Sequence, residues 1–335
     1  MKELKYLTID EQLELLKSKG LIINSEKIAR KYLNEIGYYK LINGYKTPFK
    51  YTQKTDDKNA IKKFIENTTI DELYHLYTFD QNLKSLILRY ISEIEIMVKA
   101  RMSEVISSKY GIKESDYLVA DNFAPDKISR DSKETKFLEI QADILSTIRD
   151  QSTKHKSMKW YAENYGFFPF WIVCNVLSFG TISLLYSKMK QPDQYLISKY
   201  FRQKSKTFES MLTIMQLFRN VCAHNEVVYN FKTFKSLSQK DIEQIYKSFN
   251  IEKDERSGKY KYGVNDIFAL IIIFKLILPK SDFLEFLSKF KSLLTTLKKK
   301  VDKIMYDGVM ITMGIVDNLD KLKKLWIKIL TTRNV

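Results

Sequence analysis

Residues 73–98 read LYHLYTFDQNLKSLILRYISEIEIMV, and this stretch decides the fold class. Its apolar residues recur at intervals of three and four, as they do along one side of an α-helix. They are Leu73, Leu76, Tyr77, Leu83, Leu86, Ile87, Ile91, Ile94, Met97 and Val98. Alternating apolar and polar residues, the pattern of a half-buried strand, are rare and short elsewhere. The chain also holds only 10 Gly and 5 Pro in 335 residues. The sequence therefore predicts an all-α fold.

Two further stretches favour a helical protein without a membrane-spanning segment. Thr8-Ile9-Asp10-Glu11 matches the capping box that begins many helices. Residues 267–278 form the longest apolar run, which is shorter than the ~20 residues that a membrane span needs. This run predicts a buried helix. The opening Met1-Lys2-Glu3-Leu4-Lys5 does not resemble a signal peptide, so we expect a soluble, cytoplasmic protein.

The charge balance points to an anionic partner. The chain has 56 Lys and Arg against 40 Asp and Glu, a formal net charge of +16. An enzyme of small neutral metabolites does not need that excess, whereas a protein that binds nucleic acid does. Cys174 and Cys222 are the two cysteines, too few for a disulfide scaffold or a cysteine zinc site. The three histidines lack metal-ligand spacing, so we expect no metal and no cofactor.

Polar stretches divide the chain into three predicted parts. Residues 50–60 are a polar loop, residues 109–135 a long excursion between helices, and residues 250–266 a charged break. The predicted domains are an N-terminal helical subdomain at 1–65, a helical core at 66–249 and a C-terminal helical region at 250–335.

The segment best suited to chemistry is Phe218-Arg219-Asn220-Val221-Cys222-Ala223-His224-Asn225-Glu226. It ends an amphipathic helical pattern whose apolar stripe is Phe208, Met211, Leu212, Met215, Phe218 and Cys222. Asn220 and His224 are four residues apart and so lie on one side of that helix. Arg219 and His224 are five apart, about 140° around an ideal helix, and only the long arginine side chain could bring them together.

Arg219, Asn220 and His224 form a set suited to RNA cleavage. Histidine is a general acid and base near neutral pH. The planar donor fork of arginine suits a phosphate that gains charge in a transition state. Together they suit attack of a ribose 2′-hydroxyl on the adjacent phosphate, a nucleophile that DNA lacks. The spacing also fits a plain helix end, with His224 hydrogen-bonded to backbone and Arg219 reaching solvent, and it leaves that alternative open.

These residues resemble a known signature. Arg219-Asn220-x-x-x-His224 is similar to the R-x4–6-H motif of HEPN-domain ribonucleases, with the polar residue that commonly follows the arginine. Over roughly residues 5–290 the chain also resembles bacterial abortive-infection proteins of the Abi-D/Abi-F type. The motifs are Ile36-Gly37-Tyr38-Tyr39-Lys40-Leu41-x-x-Gly44-Tyr45, Leu76-Tyr77-x-Phe79-Asp80-x-x-Leu83 with Ile91-x-Glu93-Ile94-Glu95, and Phe170-Trp171 with Leu177-Ser178-Phe179-Gly180-Thr181-x-Ser183.

The resemblance implies a function and an assembly. It implies a HEPN-like helical bundle and a metal-independent endoribonuclease that serves phage defence or acts as a toxin. HEPN nucleases commonly place two R…H motifs across one cleft, and this chain carries one clear copy, so a homodimer is implied. The family often supports the motif with a glutamate and a basic residue four positions on, which Glu95 and Lys99 match. An ordinary surface ion pair explains that spacing equally well.

A second candidate surface lies near the N-terminus. Tyr38, Tyr39 and Lys40, with Tyr45 and Lys46, interleave aromatic and basic side chains, which suits stacking on single-stranded RNA. The alternative is that these tyrosines pack the N-terminal helices. Two other function classes stay open: a catalytically silent RNA-binding protein that partners a small RNA, and a helical protein–protein adaptor.

Overall fold

The computed structural model describes residues 6–51, 63–125 and 136–324. Within these ranges the chain is mostly helical, which confirms the predicted all-α class. The helices are α1 (Ile9–Ser18), α2 (Glu26–Ile36), α3 (Ile70–Tyr110), α4 (Glu114–Tyr117), α5 (Phe137–Gln151), α6 (Lys156–Tyr165), α7 (Phe170–Val176), α8 (Phe179–Lys188), α9 (Gln191–Tyr200), α10 (Ser205–Ala223), α11 (Glu243–Ser248), α12 (Ile267–Ile277), α13 (Lys280–Lys298), α14 (Lys303–Thr312) and α15 (Lys321–Lys324).

Short elements connect these helices. A π-helical turn spans Tyr39–Asn43, and 3₁₀ turns span Thr47–Phe49, Ala120–Asn122 and Gln239–Ile242. Two short antiparallel strands, β1 (Lys50–Tyr51) and β2 (Lys63–Phe64), form a hairpin. Nearly all of the loop predicted at residues 50–60 lies outside the described residues, as do residues 126–135 of the excursion predicted at 109–135.

Helix α3 is the axis of the molecule. Its 41 residues make a rod of about 60 Å, and it packs against α7, α9, α10 and α13. Thr69 caps its first turn through a capping box with Glu72, and Gly111, at φ 99°, ends it in a conformation that other residues avoid. The apolar stripe predicted from the sequence is buried along almost its whole length.

Helix α10 lies antiparallel to α3. The chain just after the last turn of α10 is bound by Lys84, in the first half of α3. At the opposite end, Arg101 of α3 lies 4.6 Å from the ring centroid of Tyr200, which closes α9 just before α10 begins. The C-terminal end of α10 is therefore held beside the N-terminal half of α3.

Terminal segments pack onto this centre. The predicted capping box at Thr8 is present, because Glu11 N donates to Thr8 Oγ1 and Thr8 N donates to Glu11 Oε2. From the C-terminal part, the Phe286 ring of α13 meets Tyr90 of α3 edge-on at 5.3 Å. The proposed boundaries at residues 65 and 249 stay predictions.

Helix α12 confirms the helix expected at the longest apolar run. All but one of its 11 residues are buried, including Lys275 at 2% exposure. In the described ranges, no helix has both the length and the apolar character needed to cross a membrane.

Lys275 Nζ donates to the carbonyl of Leu322 at 2.6 Å, and burial lowers the pKa of Lys275 to about 8.

The low pKa of Lys275 predicts a pH-dependent stability. Between about pH 8 and 10 the unfolded chain keeps a proton that folded Lys275 has released, so stability rises with pH. We expect the free energy of unfolding of the wild type, minus that of Lys275→Met, to increase over this interval in urea titrations. The matched control Lys280→Met changes an exposed lysine on α13 and should give a flat difference. A flat difference for Lys275→Met would contradict the assignment.

Candidate active site

Arg219, Asn220 and His224 lie at the C-terminal end of α10. The predicted apolar stripe of this helix is buried, which turns the opposite side outward. Arg219 and Asn220 are partly exposed, and His224, which caps the helix, is exposed. In the part of the chain that the structure describes, the guanidinium of Arg219 and the imidazole of His224 make no hydrogen bond or ion pair. Within one chain they therefore make no hydrogen bond to each other.

The turn after His224 is sharply defined. Asn225 adopts a left-handed conformation, with φ at 56°, which asparagine tolerates better than most residues. Asn225 N donates to Cys222 O at 3.1 Å and Glu226 N to Val221 O at 3.0 Å. These two bonds form a Schellman cap that satisfies carbonyls at the helix end. The backbone around His224 is thus fixed on both sides.

A buried ion pair on α3 holds this turn in place. Lys84 Nζ lies 3.2 Å from Asp80 Oδ2 and donates to Asn225 Oδ1 at 2.8 Å and to Glu226 O at 3.0 Å. Asp80 and Lys84 are 0% and 3% exposed. We call this pair the Asp80–Lys84 clamp.

The carboxylate of the clamp binds two other parts of the chain. Asp80 Oδ1 accepts hydrogen bonds from Val228 N at 3.1 Å and Tyr229 N at 2.8 Å, and Oδ2 accepts one from the Tyr45 hydroxyl at 2.8 Å. Burial raises the pKa of Asp80, while Lys84 and the donors from Tyr229 and Tyr45 oppose that rise. The clamp therefore joins α3, the N-terminal segment and the chain after α10.

Sequence reasoning did not assign a role to Asp80 or Lys84. The available signal was their position, because an acid and a base four residues apart interrupt an otherwise apolar helical stripe. Charged residues on such a stripe are rarely buried unless they are paired.

Glu95 and Lys99 form the ion pair that their spacing predicts. Lys99 Nζ lies 2.7 Å from Glu95 Oε1, and the side chains are 13% and 17% exposed, so the pair is not an ordinary surface pair. Lys99 also donates to the carbonyl of Leu177 at 2.9 Å, at the junction of α7 and α8. Whether the pair supports catalysis stays a prediction.

An open groove of about 660 Å³ adjoins this pair, between α3 and α7. Helix α3 contributes Glu95, Lys99, Ser103 and Glu104, and α7 contributes Trp171, Cys174 and Asn175. Burial raises the pKa of Cys174, with Ser103 and Lys99 opposing, so the groove presents a protonated thiol rather than a nucleophilic thiolate.

The junction of α7 and α8 connects the groove to the end of α10. The carbonyl of Leu177 binds Lys99, and Gly180 lies three residues further along the chain. Gly180 packs closely against α10, because a Cβ added to it would lie only 3.6 Å from Gln216 Nε2. Arg219 and Asn220 are three and four residues beyond Gln216, so they share its helix face about one turn on. The predicted supporting pair Glu95–Lys99 is thus linked through the α7–α8 junction to the part of α10 that carries Arg219 and Asn220.

The predicted RNA surface near the N-terminus is only partly accessible. Tyr39 is 80% exposed, whereas Tyr38 and Lys40 are half-buried and Lys46 bonds to Asn43. Tyr45 is 1% exposed and its hydroxyl is bound to Asp80, so the inclusion of Tyr45 was wrong. The aromatic–basic pattern did not reveal that this tyrosine points into the core.

The fold and site define a helical protein with a strongly basic composition and an Arg–Asn–His set at one helix end, with His224 exposed and Arg219 and Asn220 partly exposed. The profile of the Abi-like protein family matches residues 31–230, about three fifths of the chain, and ends directly after Tyr229, the last residue that the clamp binds. The chain belongs to the Abi-like protein family. Membership implies a role in abortive-infection phage defence. No curated protein and no solved structure is significantly similar to it.

The clamp predicts a large and specific loss of stability. Lys84→Met leaves Asp80 buried without its cation, and breaking a buried pair typically costs about 3–5 kcal/mol of unfolding free energy. The measurement is urea unfolding followed by circular dichroism. Lys154→Met is the matched control, because Asp150 and Lys154 have the same spacing but are more than half exposed. Equal losses of unfolding free energy in the two variants would show that the clamp stabilises the fold no more than an exposed ion pair does.

Proposed function

We propose that this protein is a metal-independent endoribonuclease acting in abortive infection or as a ribonuclease toxin. One observation carries the proposal. The side chains of Arg219 and His224 are accessible and make no hydrogen bond or ion pair within the described residues, yet the chain directly after His224 is anchored by the buried clamp. Functional side chains held ready by a fixed backbone suit catalysis better than a solvated helix end does. The net charge of +16 supplies the attraction for RNA.

The reaction is an internal transfer at phosphorus. An imidazole of His224 accepts the proton of a ribose 2′-hydroxyl, and the 2′-oxygen forms a bond to the adjacent phosphorus. The bond from phosphorus to the 5′-oxygen breaks, and that oxygen takes up a proton. The products are a 2′,3′-cyclic phosphate and a 5′-hydroxyl, with no redox change. Arg219 stabilises charge on the phosphoryl oxygens and Asn220 positions one of them.

Supporting residues act through the backbone and through charge. The clamp fixes the turn at Asn225 and Glu226, and so fixes where His224 can project. Glu95 and Lys99 hold the α7–α8 junction, against which α10 packs one turn before Arg219. We assign them positioning roles, because Lys84 binds the chain directly after His224 and Lys99 binds the Leu177 carbonyl at the α7–α8 junction.

The complete site requires two copies of the chain. Arg219 and His224 are five residues apart, about 140° around an ideal helix, and their side chains make no hydrogen bond to each other within one chain. The reaction calls for both an acid and a base. A homodimer that brings two Arg–Asn–His sets across one cleft supplies two imidazoles and two guanidiniums.

We expect the cleavage rate per chain to fall on dilution together with the dimer fraction, as followed by light scattering. A monomer that cleaves at full rate would contradict this assembly.

A catalytically silent RNA-binding protein is the second candidate. The lack of a hydrogen bond between the side chains of Arg219 and His224 in one chain favours it, because a binder needs positive charge but no assembled acid–base pair. Its partner would be a small RNA. In the leading proposal a small RNA can instead restrain the enzyme through the same basic surface.

The decisive experiment is cleavage of end-labelled single-stranded RNA in the presence of EDTA. We expect products with a 2′,3′-cyclic phosphate, and a rate lower by about 10²–10⁴-fold in His224→Ala, because general acid–base catalysis contributes about that much. Arg219→Ala should show a comparable loss, and both variants should still bind RNA. Substrate with a single 2′-deoxyribose at the cleaved position should be resistant.

Two variants serve as controls. His155→Ala removes a histidine beside α6, and Arg149→Ala removes an exposed arginine of α5, and both should cleave like the wild type. Binding without cleavage by the wild type favours the silent binder, and neither binding nor cleavage favours the adaptor. A requirement for added Mg²⁺ would count against the mechanism.

A further inference from the structure

We propose that the groove between α3 and α7 is a nucleobase subsite for single-stranded RNA, with Trp171 as its stacking surface. The proposal rests on the proposed function only in taking RNA as the ligand. The groove volume of about 660 Å³ lies within the ~300–1,000 Å³ of typical small-ligand clefts.

Trp171 presents a fixed aromatic surface. Its residue is 39% exposed, while its neighbours Phe170 and Val173 anchor α7 in the core at 0% exposure. The indole N–H lies 3.4 Å from the Tyr161 hydroxyl, and the Asn175 amide donates to the Trp171 carbonyl at 3.1 Å. A ring held in this way loses little freedom when a base stacks on it, and every base offers a face for stacking.

The charge of the groove favours a base over a phosphate. Its lining contains Glu95 and Glu104 against Lys99, a net charge of −1. The ammonium of Lys99 is already engaged by Glu95 and the Leu177 carbonyl, and Glu104 is paired with Arg101, which does not line the groove. Among the described residues that line the groove, no cation is left without a partner to receive a phosphate. A chain of net charge +16 therefore meets the phosphates elsewhere and offers this groove to a neutral group.

The polar groups of the groove favour particular bases. Asn175 is exposed and its Nδ2 donates to the Trp171 carbonyl, while Oδ1 accepts no hydrogen bond within the described residues and so is available as an acceptor. The Glu104 carboxylate is a second acceptor. Acceptors match exocyclic amino groups, which adenine, cytosine and guanine carry and uracil lacks. We therefore assign the subsite to an amino-bearing base.

The groove lies within reach of the proposed catalytic set. Lys84, which binds the turn after His224, and Glu95, at the groove, are eleven residues apart on α3. Eleven residues make about three turns, so both side chains lie on nearly the same face, about 16 Å apart along the axis. A short single strand can therefore place one base in the groove while its backbone reaches α10.

Binding of short labelled oligonucleotides to full-length His224→Ala, followed by fluorescence anisotropy, tests the subsite without cleavage. Adding Trp171→Ala should weaken binding of oligo(A) and oligo(C) by about 5- to 150-fold, the range of loss for one stacked base. Trp171→Phe should recover most of it. The matched control is Trp160→Ala, which removes an indole that is 49% exposed and does not line the groove. It should change affinity less than twofold.

A second variant tests the base preference. Asn175→Leu should bring the affinity for oligo(A) closer to that for oligo(U), while Trp171→Ala lowers binding of both. Unchanged affinity in Trp171→Ala, or equal losses in Trp171→Ala and Trp160→Ala, would overturn the subsite. Failure of the proposed function is seen separately, as absence of cleavage by the wild type while these oligonucleotides still bind.

Discussion

The buried ion pair of Asp80 and Lys84 joins parts of the chain that are far apart in sequence. Its partners include Tyr45, 35 residues before Asp80, and Tyr229, 149 residues after it. Transferring two charges from water to a protein interior costs several kcal/mol for each ion, and their attraction alone rarely repays it. The additional donors matter for this reason. Asp80 also receives two backbone N–H groups and a phenol, and Lys84 donates to an amide oxygen and a carbonyl.

These contacts give the pair a role that an apolar replacement could not fill. The N–H groups of Val228 and Tyr229 would be left buried without partners, at a cost comparable to lost hydrogen bonds, and the carbonyl of Glu226 would lose the ammonium of Lys84. The left-handed residue Asn225 is held by the same lysine. The clamp therefore specifies one geometry for the chain that follows α10, whatever its net contribution to stability.

The helices were predictable because their signal is local. The stripe along α3, the apolar run of α12 and the capping box at Thr8 are each written in neighbouring residues, and all three are present. The Glu95–Lys99 contact was predictable for the same reason. The clamp, the groove and the burial of Tyr45 depend on which helices pack together. The local pattern of a single sequence does not show which helices do so. The π-helical turn at Tyr39–Asn43 also changes which of the following side chains face inward. The aromatic–basic pattern therefore wrongly predicted that Tyr45 is accessible to RNA.

Helix α3 gives these separate features a common frame. A single continuous helix carries the clamp at residues 80 and 84 and the groove at residues 92–104, so their spacing is set by helical geometry rather than by loops. Loops move relative to one another, whereas a buried helix of this length holds its two ends at a fixed separation. On the proposed function, the distance between the reacting phosphate and the recognised base is then a property of α3. Base recognition in the groove would therefore determine which linkage reaches Arg219 and His224, and a change in specificity need not involve any catalytic residue.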